Sequence, residues 1–447
     1  MKDKKYSTKT KALSIVMNII GVVLFLLPIH IDGKWTIMLG VIADYIMKYF
    51  SDFLPLLVVT IGIVSTILFI IQKILKTEIP FLKMLDEGFV WTTIKLIGFT
   101  FLVMAFFKVG PEWVVNEDTG LMVLNDVLPV LIVWFFLAGF LMPILLNFGL
   151  TEFIGVLLSK IIRPLFKAPG RSGVDAVASW MGAAPIGVLI TLRQYEEGLY
   201  TQKEATAIAT NFSVVSIPFS LVMTKMIGME HMFLQIYGAM VVASIVTAIV
   251  MVRIPPVSWK SDEYLVDSKV DPDETIPEDC GMIEYAVDQM FDRAEKEENP
   301  FKLIKEGIVS VFEMWFNLTT VIMALATLAM IAVEFTPLFY WLSLPLQPIL
   351  QVFGMQQIDL AGPALLVGFP DIFLGPIVGS GIEDEFTRFI IAATTMAQLI
   401  YMADIGALLL KSKLNINFFE LVLIFVLRTI IAFPVIFVIA KLVFMTV

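Results

Sequence analysis

GVDAVASWMGAAPIGVLITL, Gly173 to Leu192, is long and apolar enough to cross a bilayer, yet Gly182, Pro185 and Gly187 interrupt its middle. Each side of the break has roughly nine residues, about 13 Å of helix, near half of a ~30 Å hydrocarbon core. Proline removes a backbone donor and disfavours helix in the residue before it. Broken backbone at that depth has to be buried in protein or line a wet cavity. The stretch is therefore either a kinked helix or a re-entrant hairpin. A second stretch of the same type, LAGPALLVGFPDIFLGPIVG from Leu360 to Gly379, breaks at Gly368 and Pro370.

The surrounding composition sets the class. Hydrophobic residues make up 58% of the 447, charged residues 16%, and the mean hydropathy is +0.87. A soluble chain needs more polar surface, so the expected fold is an all-α polytopic membrane protein. One cysteine excludes a disulfide framework, and two histidines far apart give no metal-ligand spacing. The net charge of −10 comes from one region: residues 256–300 hold 14 acidic and 4 basic residues, leaving 27 of each elsewhere. An acidic loop on a neutral membrane body argues against nucleic acid as a partner.

In chain order, a basic N-terminus precedes an apolar helix over 12–29 that lacks a following cleavage site, so it reads as a retained first span. Spans are expected at 53–75, 89–107, 128–148, 231–254, 318–342 and 418–444, with long polar-centred helices at 205–227 and 384–410. That gives about nine spanning helices. Leu150 to Phe166 carries apolar residues at a 3.6-residue period opposite Glu152, Lys160 and Arg163, which predicts an interfacial helix. Residues 35–50, 301–315 and 344–353 are also expected at the interface. Thr201 with Glu204, and Ser380 with Glu383, have the spacing of capping boxes.

The same series thus occurs twice: span, interfacial helix, broken hairpin, capping box, polar-centred helix, plain span. The expected organisation is N-terminal helices over 1–120, a first repeat over 121–255 with hairpin 173–192, an acidic cytoplasmic linker over 256–300, and a second repeat over 301–447 with hairpin 360–379. If both broken stretches re-enter, Lys160, Arg163, Lys167, Arg171, Arg193, Arg253, Lys302, Lys305, Lys411 and Lys413 all fall on the inner side, as the positive-inside rule demands. The repeats are then inverted, the N-terminus and the acidic loop are cytoplasmic, and the C-terminus is outside a cell inner (plasma) membrane. Nine simple helices with two proline kinks, as in a membrane scaffold, is the competing arrangement.

Small polar solutes need convergent donors and acceptors in a membrane cavity. The candidates are Ser179, Asn211, Ser213 and Ser216 in the first half, and Asp371, Thr394, Thr395 and Gln398 in the second. Asn211 serves equally as an interhelical hydrogen bond. Asp371, beside Gly368 and Pro370, is the sharpest candidate for holding a coupling cation, a substrate amine or a proton, with a cap at the hairpin tip as its structural alternative. Asp404 is a second ion-coupling candidate, or an ion-pair partner of Arg428. Asp175 is a hairpin acid that also suits a helix N-terminus. No nucleophile–base pair, phosphate loop or metal cluster is present, so no enzyme and no cofactor beyond a coupling Na⁺ or H⁺ is expected.

FKAPGRSGVDAVASWMGAAPIG, the helix centre ATNFSVVSIP and the two-copy layout resemble the Gate-domain, or nucleoside-recognition, membrane proteins of the YjiH type. The layout is also similar to concentrative nucleoside transporters, and the resemblance covers most of 121–447. It implies paired re-entrant hairpins and a secondary active transporter of a nucleoside-like solute in the lipid bilayer. An amino acid or dipeptide carrier of the same fold is one alternative. A non-transporting assembly or signalling protein, docking partners at 256–300 or forming a homo-oligomer, is another.

Overall fold

A computed structural model describes residues 6–25, 27–31, 34–75, 89–170, 172–181, 184–212, 214–266, 281–296 and 300–446. Gly182, Arg171 and Ser213 lie outside the described residues, and of Pro185 and Asp404 the backbone alone is described. The N-terminal part comprises α1 (Thr8–Phe25), a small hairpin of β1 (Pro28–Ile31) and β2 (Lys34–Ile37), α2 (Met38–Phe50), α3 (Leu54–Leu75), α4 (Phe89–Phe107), and the short α5 (Glu112–Val115) and α6 (Gly120–Met122). Then come α7 (Leu128–Leu146), α8 (Leu150–Phe166), α9 (Ser172–Met181), α10 (Ala184–Glu196), α11 (Gln202–Asn211), α12 (Ile217–Met226), α13 (Phe233–Met251) and α14 (Met282–Glu295). The last part holds α15 (Pro300–Phe335), α16 (Leu338–Ser343), α17 (Gln347–Val352), α18 (Ile358–Val367), α19 (Leu374–Gly379), α20 (Glu385–Gln398), α21 (Ala407–Lys411) and α22 (Phe418–Thr446).

The chain is an all-α polytopic membrane protein. Among the described residues, six helices are long and apolar enough to cross a membrane, where the sequence suggested about nine. The difference has a physical cause. α4 offers a shorter apolar run, Trp91–Phe107, and both polar-centred helices are broken in two. The expected separation of an amphipathic helix over 301–315 from a span after 318 is also corrected. α15 runs unbroken for 36 residues, because no glycine–proline punctuation divides it. It packs on α3, α4 and α7, while α13 packs on α22 and α20.

Both broken stretches fold back on themselves. α9 packs along α10, and α18 along α19. Gly187 shows how close the first pair lies: a Cβ there would sit 1.7 Å from Ser179 Oγ and 2.7 Å from Asp175 O. Residues 179 and 187 would be about 12 Å apart along a continuous helix, so this is a hairpin and not a kink. Gly375 plays the same part in the second pair, where a Cβ would meet Ala364 O at 3.0 Å.

The hairpins open at opposite ends of the interrupted helix α20–α21. At the base of the first, Glu196 pairs with Lys413 at 3.5 Å, just beyond α21. Beside the base of the second, the Gln356 N–H donates to Thr387 Oγ1 at 3.0 Å in the first turn of α20.

The acidic stretch is partly folded onto the body. Residues 261–264 run beside the start of α11, with Gln202 N–H donating to Glu263 O at 3.0 Å and Lys203 N–H to Ser261 O at 2.9 Å. α14 buries Ala286, Phe291 and Ala294, packs on α8 and α1, and sets Arg293 3.7 Å from Glu152. The helix forms here because its apolar side has a helix face to cover.

Candidate functional site

The sequence ATNFSVVSIP breaks a helix for a local reason. Pro218 lacks an N–H and is favoured in a first helical turn, so it suits the start of α12 after Ser216. α11 ends at Asn211 and α12 begins at Ile217, and the described residues between them are not helical. The start of α11 is secured by the anticipated capping box: Glu204 N–H donates to Thr201 Oγ1 at 3.2 Å, and Thr201 N–H to Glu204 Oε2 at 2.9 Å.

The second polar-centred helix is also broken, contrary to the continuous helix expected over 384–410. α20 stops at Gln398, and Leu399 takes φ 62°, a region an L side chain enters at a cost of about 1–2 kcal/mol. Local bonds close that stop. Tyr401 Oη donates to Thr395 O at 2.6 Å and Ile400 N–H to Gln398 O at 2.8 Å. The cap of α20 differs from expectation as well. Asp384, not Ser380, accepts from Thr387 N–H at 2.8 Å, while Ser380 donates to Ile377 O at 2.7 Å. Asp384 wins because a carboxylate at a helix N-terminus meets both the free N–H groups and the positive dipole end.

Arg428, fully buried in α22, joins the two breaks. Its Nη1 donates to Thr210 O at 3.3 Å and Asn211 Oδ1 at 2.8 Å, at the end of α11. Its Nε and Nη2 donate to Ala397 O at 3.1 and 2.8 Å, at the end of α20. The carbonyls that a helix C-terminus leaves unpaired are thus satisfied by one guanidinium.

Gln398 ties in the second hairpin. Its Nε2 donates to Leu365 O at 2.7 Å, near the end of α18, and to Thr429 Oγ1 at 2.9 Å on α22. A Cβ on Gly368 would lie 3.1 Å from Gln398 Oε1, and Met402 N–H donates to Phe369 O at 2.9 Å. The hairpin tip therefore sits against the second break, with Phe369 stacked edge-on to Phe418 and Phe425.

The candidates now sort by place. Asn211 is saturated: its Nδ2 donates to Ala207 O and Thr210 Oγ1, both at 3.0 Å, and its Oδ1 accepts from Arg428. Thr395 back-bonds to Ile391 O at 2.9 Å and turns its methyl toward Gly375. Ser179 lies between the arms of the first hairpin. Asp371 is 5% exposed and accepts from Phe373 N–H at 2.9 Å, closing the turn at the tip beside Pro370. Among the described residues, three buried polar atoms beside the breaks have no protein partner: Ser216 Oγ, Thr394 Oγ1 and Gln398 Oε1. Ser220 Oγ on α12 is a fourth, missed by sequence reasoning, although its spacing of four from Ser216 puts both on one side of a helix. Arg428 enters the sequence reading only as a partner for Asp404, whose side chain is not described; a lone arginine within an apolar span is the signal for the wider role seen here.

Asp175 lies in the first turn of α9, where a helix-N-terminal acid is expected, and it makes contacts beyond that turn. It accepts from Thr191 Oγ1 at 3.0 Å, Gln194 Nε2 at 2.8 Å and Tyr200 Oη at 3.0 Å. Its carboxylate binds the two arms of the first hairpin to the chain leading into α11, rather than serving its own helix end alone.

These features define a polytopic membrane protein built on two helical hairpins and two interrupted helices. The family model described as Gate, nucleoside recognition, matches residues 127–230, which span α7 to α12. A protein of Alkalihalophilus pseudofirmus described as uncharacterised is 44% identical over 441 residues, covering 97% of this chain and 95% of that one. The sporulation integral membrane protein YlbJ of Bacillus subtilis is 29% identical over 120 residues, 25% of this chain and 28% of that protein. The chain belongs to one family with the Alkalihalophilus pseudofirmus protein, and within it residues 127–230 form a Gate, nucleoside-recognition, region. No solved structure matches it.

Proposed function

We propose that this protein is a secondary active transporter of a small polar organic solute, nucleoside-like by the description of its family, driven by Na⁺ or H⁺. The observation that carries this reading is the set of buried, unpartnered polar atoms at the two helix breaks: Ser216 Oγ, Ser220 Oγ, Thr394 Oγ1 and Gln398 Oε1. Leaving each unsatisfied costs about 1–3 kcal/mol, and a polar solute is the partner such groups suit. They are neutral hydroxyl and amide oxygens, matched to an uncharged solute rich in hydroxyl and N–H groups.

Two further observations support the reading. The series of hairpin, interrupted helix and plain helix occurs twice with hairpins opening at opposite ends, which is how inverted repeats frame a central site. The end of the molecule bearing Lys203, Arg253, Lys260, Arg293 and Lys413 is richer in bases than the end bearing Lys225 and Arg388. By the positive-inside rule this supports a cytoplasmic position for the first end, with α14 and the N-terminus. Asp371 is assigned the coupling proton or cation.

Uptake into proteoliposomes tests this with a panel of nucleosides, nucleobases, amino acids and dipeptides. Flux of a panel member, abolished by Asp371→Asn with the fold retained, is the expected result. Absence of both flux and thermal shift for every member would refute the reading in favour of an assembly or signalling protein.

A further inference from the structure

Arg428 deserves a chemical reading beyond that of a brace. Among the described residues it bonds to three oxygens, Thr210 O, Asn211 Oδ1 and Ala397 O, all neutral carbonyl or amide groups. Two of them are backbone carbonyls in the last turns of α11 and α20. Each helix C-terminus carries an effective charge of roughly −0.5. Two ends aimed at one point supply about −1, which balances one monovalent cation without any carboxylate. Carbonyl and amide oxygens at unwound helix ends are also the ligand type that hard cations such as Na⁺ take in membrane proteins.

We propose that the Arg428 guanidinium is a covalently tethered cation seated in a cage of helix-end carbonyls, and that this cage accepts a free monovalent cation once the side chain is shortened. The cage then needs no Na⁺ in the wild-type protein, and the two breaks stay joined at all ionic compositions. Seating a permanent charge there also explains why Asn211 is saturated: its Oδ1 is the third cage ligand, held by its own Nδ2 bonds to Ala207 O and Thr210 Oγ1. The inference bears on the coupling ion of the proposed transporter, but it rests on geometry, and its test requires no transport, so the two fail separately.

The test is thermal unfolding of the purified full chain and its Arg428→Ala variant in detergent, at constant ionic strength. Choline, Na⁺, K⁺ and guanidinium chlorides are compared, with urea as a neutral donor of similar shape. Any wild-type gain in Na⁺ over choline, as cation binding at Asp371 would give, is the baseline for the variant. The variant should unfold earlier in choline and recover by roughly 5 °C with saturating guanidinium or an alkali cation, and not with urea at the same millimolar concentration. A variant indifferent to every cation would overturn the proposal, as would equal rescue by urea or a cation gain in the variant no larger than that of the wild type. If Arg428→Ala fails to fold, Arg428→Lys is compared with Arg428→Gln. Folding of the lysine variant alone supports the tethered charge; equal folding of both, or folding of neither, overturns it.

Discussion

Replacing Gly187 by alanine separates the hairpin from a kinked helix by the sign of its effect. In a continuous helix the change would stabilise by up to about 1 kcal/mol, since alanine loses less backbone freedom than glycine. In the structure the new Cβ meets Ser179 Oγ at 1.7 Å, Asp175 O at 2.7 Å and Ser179 Cβ at 2.8 Å. The serine can rotate, but the Asp175 carbonyl belongs to the helix backbone and cannot yield without moving an arm. Overpacking of this kind costs about 1–3 kcal/mol. At on the order of 1–2 °C per kcal/mol for a chain of this size, Gly187→Ala should lower the unfolding midpoint by a few degrees. Ser179→Gly removes two of the three close atoms. In combination with Gly187→Ala it should recover part of the loss, giving a coupling of about 0.5–3 kcal/mol. Fluorescence-monitored unfolding in detergent reads all four proteins of the cycle. An unchanged or raised midpoint for Gly187→Ala, with additive behaviour in the double variant, would refute the packing of α9 on α10.

Other outcomes follow from the same contacts. Asp175→Ala removes the acceptor shared by Thr191 Oγ1, Gln194 Nε2 and Tyr200 Oη, while Thr191 keeps its bond to Gly187 O; a loss of about 3 kcal/mol is expected, as for breaking a buried charged network, read as a lower midpoint or poor folded yield. Gln398→Leu strands Leu365 O and removes Oε1 from the break; it should cost about 1–3 kcal/mol and abolish solute flux beyond what its stability loss explains. Thr395→Val keeps the methyl against Gly375 and removes only a back-bonded hydroxyl; flux and midpoint should stay near wild type. Arg293→Ala breaks a part-exposed ion pair with Glu152 worth about 0–1 kcal/mol, so a small midpoint change is expected.

Much of this architecture is legible in sequence because the membrane leaves few options. Apolar length reveals the spans, and Pro185, Gly368 and Pro370 mark the breaks by their own backbone chemistry. The capping box at Thr201 is readable because both partners lie within four residues. The break after Gln398 is not, since TTMAQLIYMAD contains no glycine or proline. That stop is imposed by Tyr401 and Arg428, partners supplied in part by a helix some thirty residues on. Asp384 outcompeted Ser380 as a cap for a reason of charge that spacing alone does not weigh. The saturation of Asn211 was hidden likewise, because its main partner, Arg428, lies 217 residues away.

Access to the breaks from the two sides of the membrane tests the transporter reading most directly. A single cysteine is placed at Ser216 by Ser216→Cys in a Cys280→Ala background and reconstituted with known orientation. A membrane-impermeant maleimide is then applied outside or inside the vesicles. The account predicts labelling from both sides in turn, slowed by any solute the wild type carries. Labelling from one side alone, or from neither, unaffected by every solute tried, would contradict it and leave a fixed membrane scaffold.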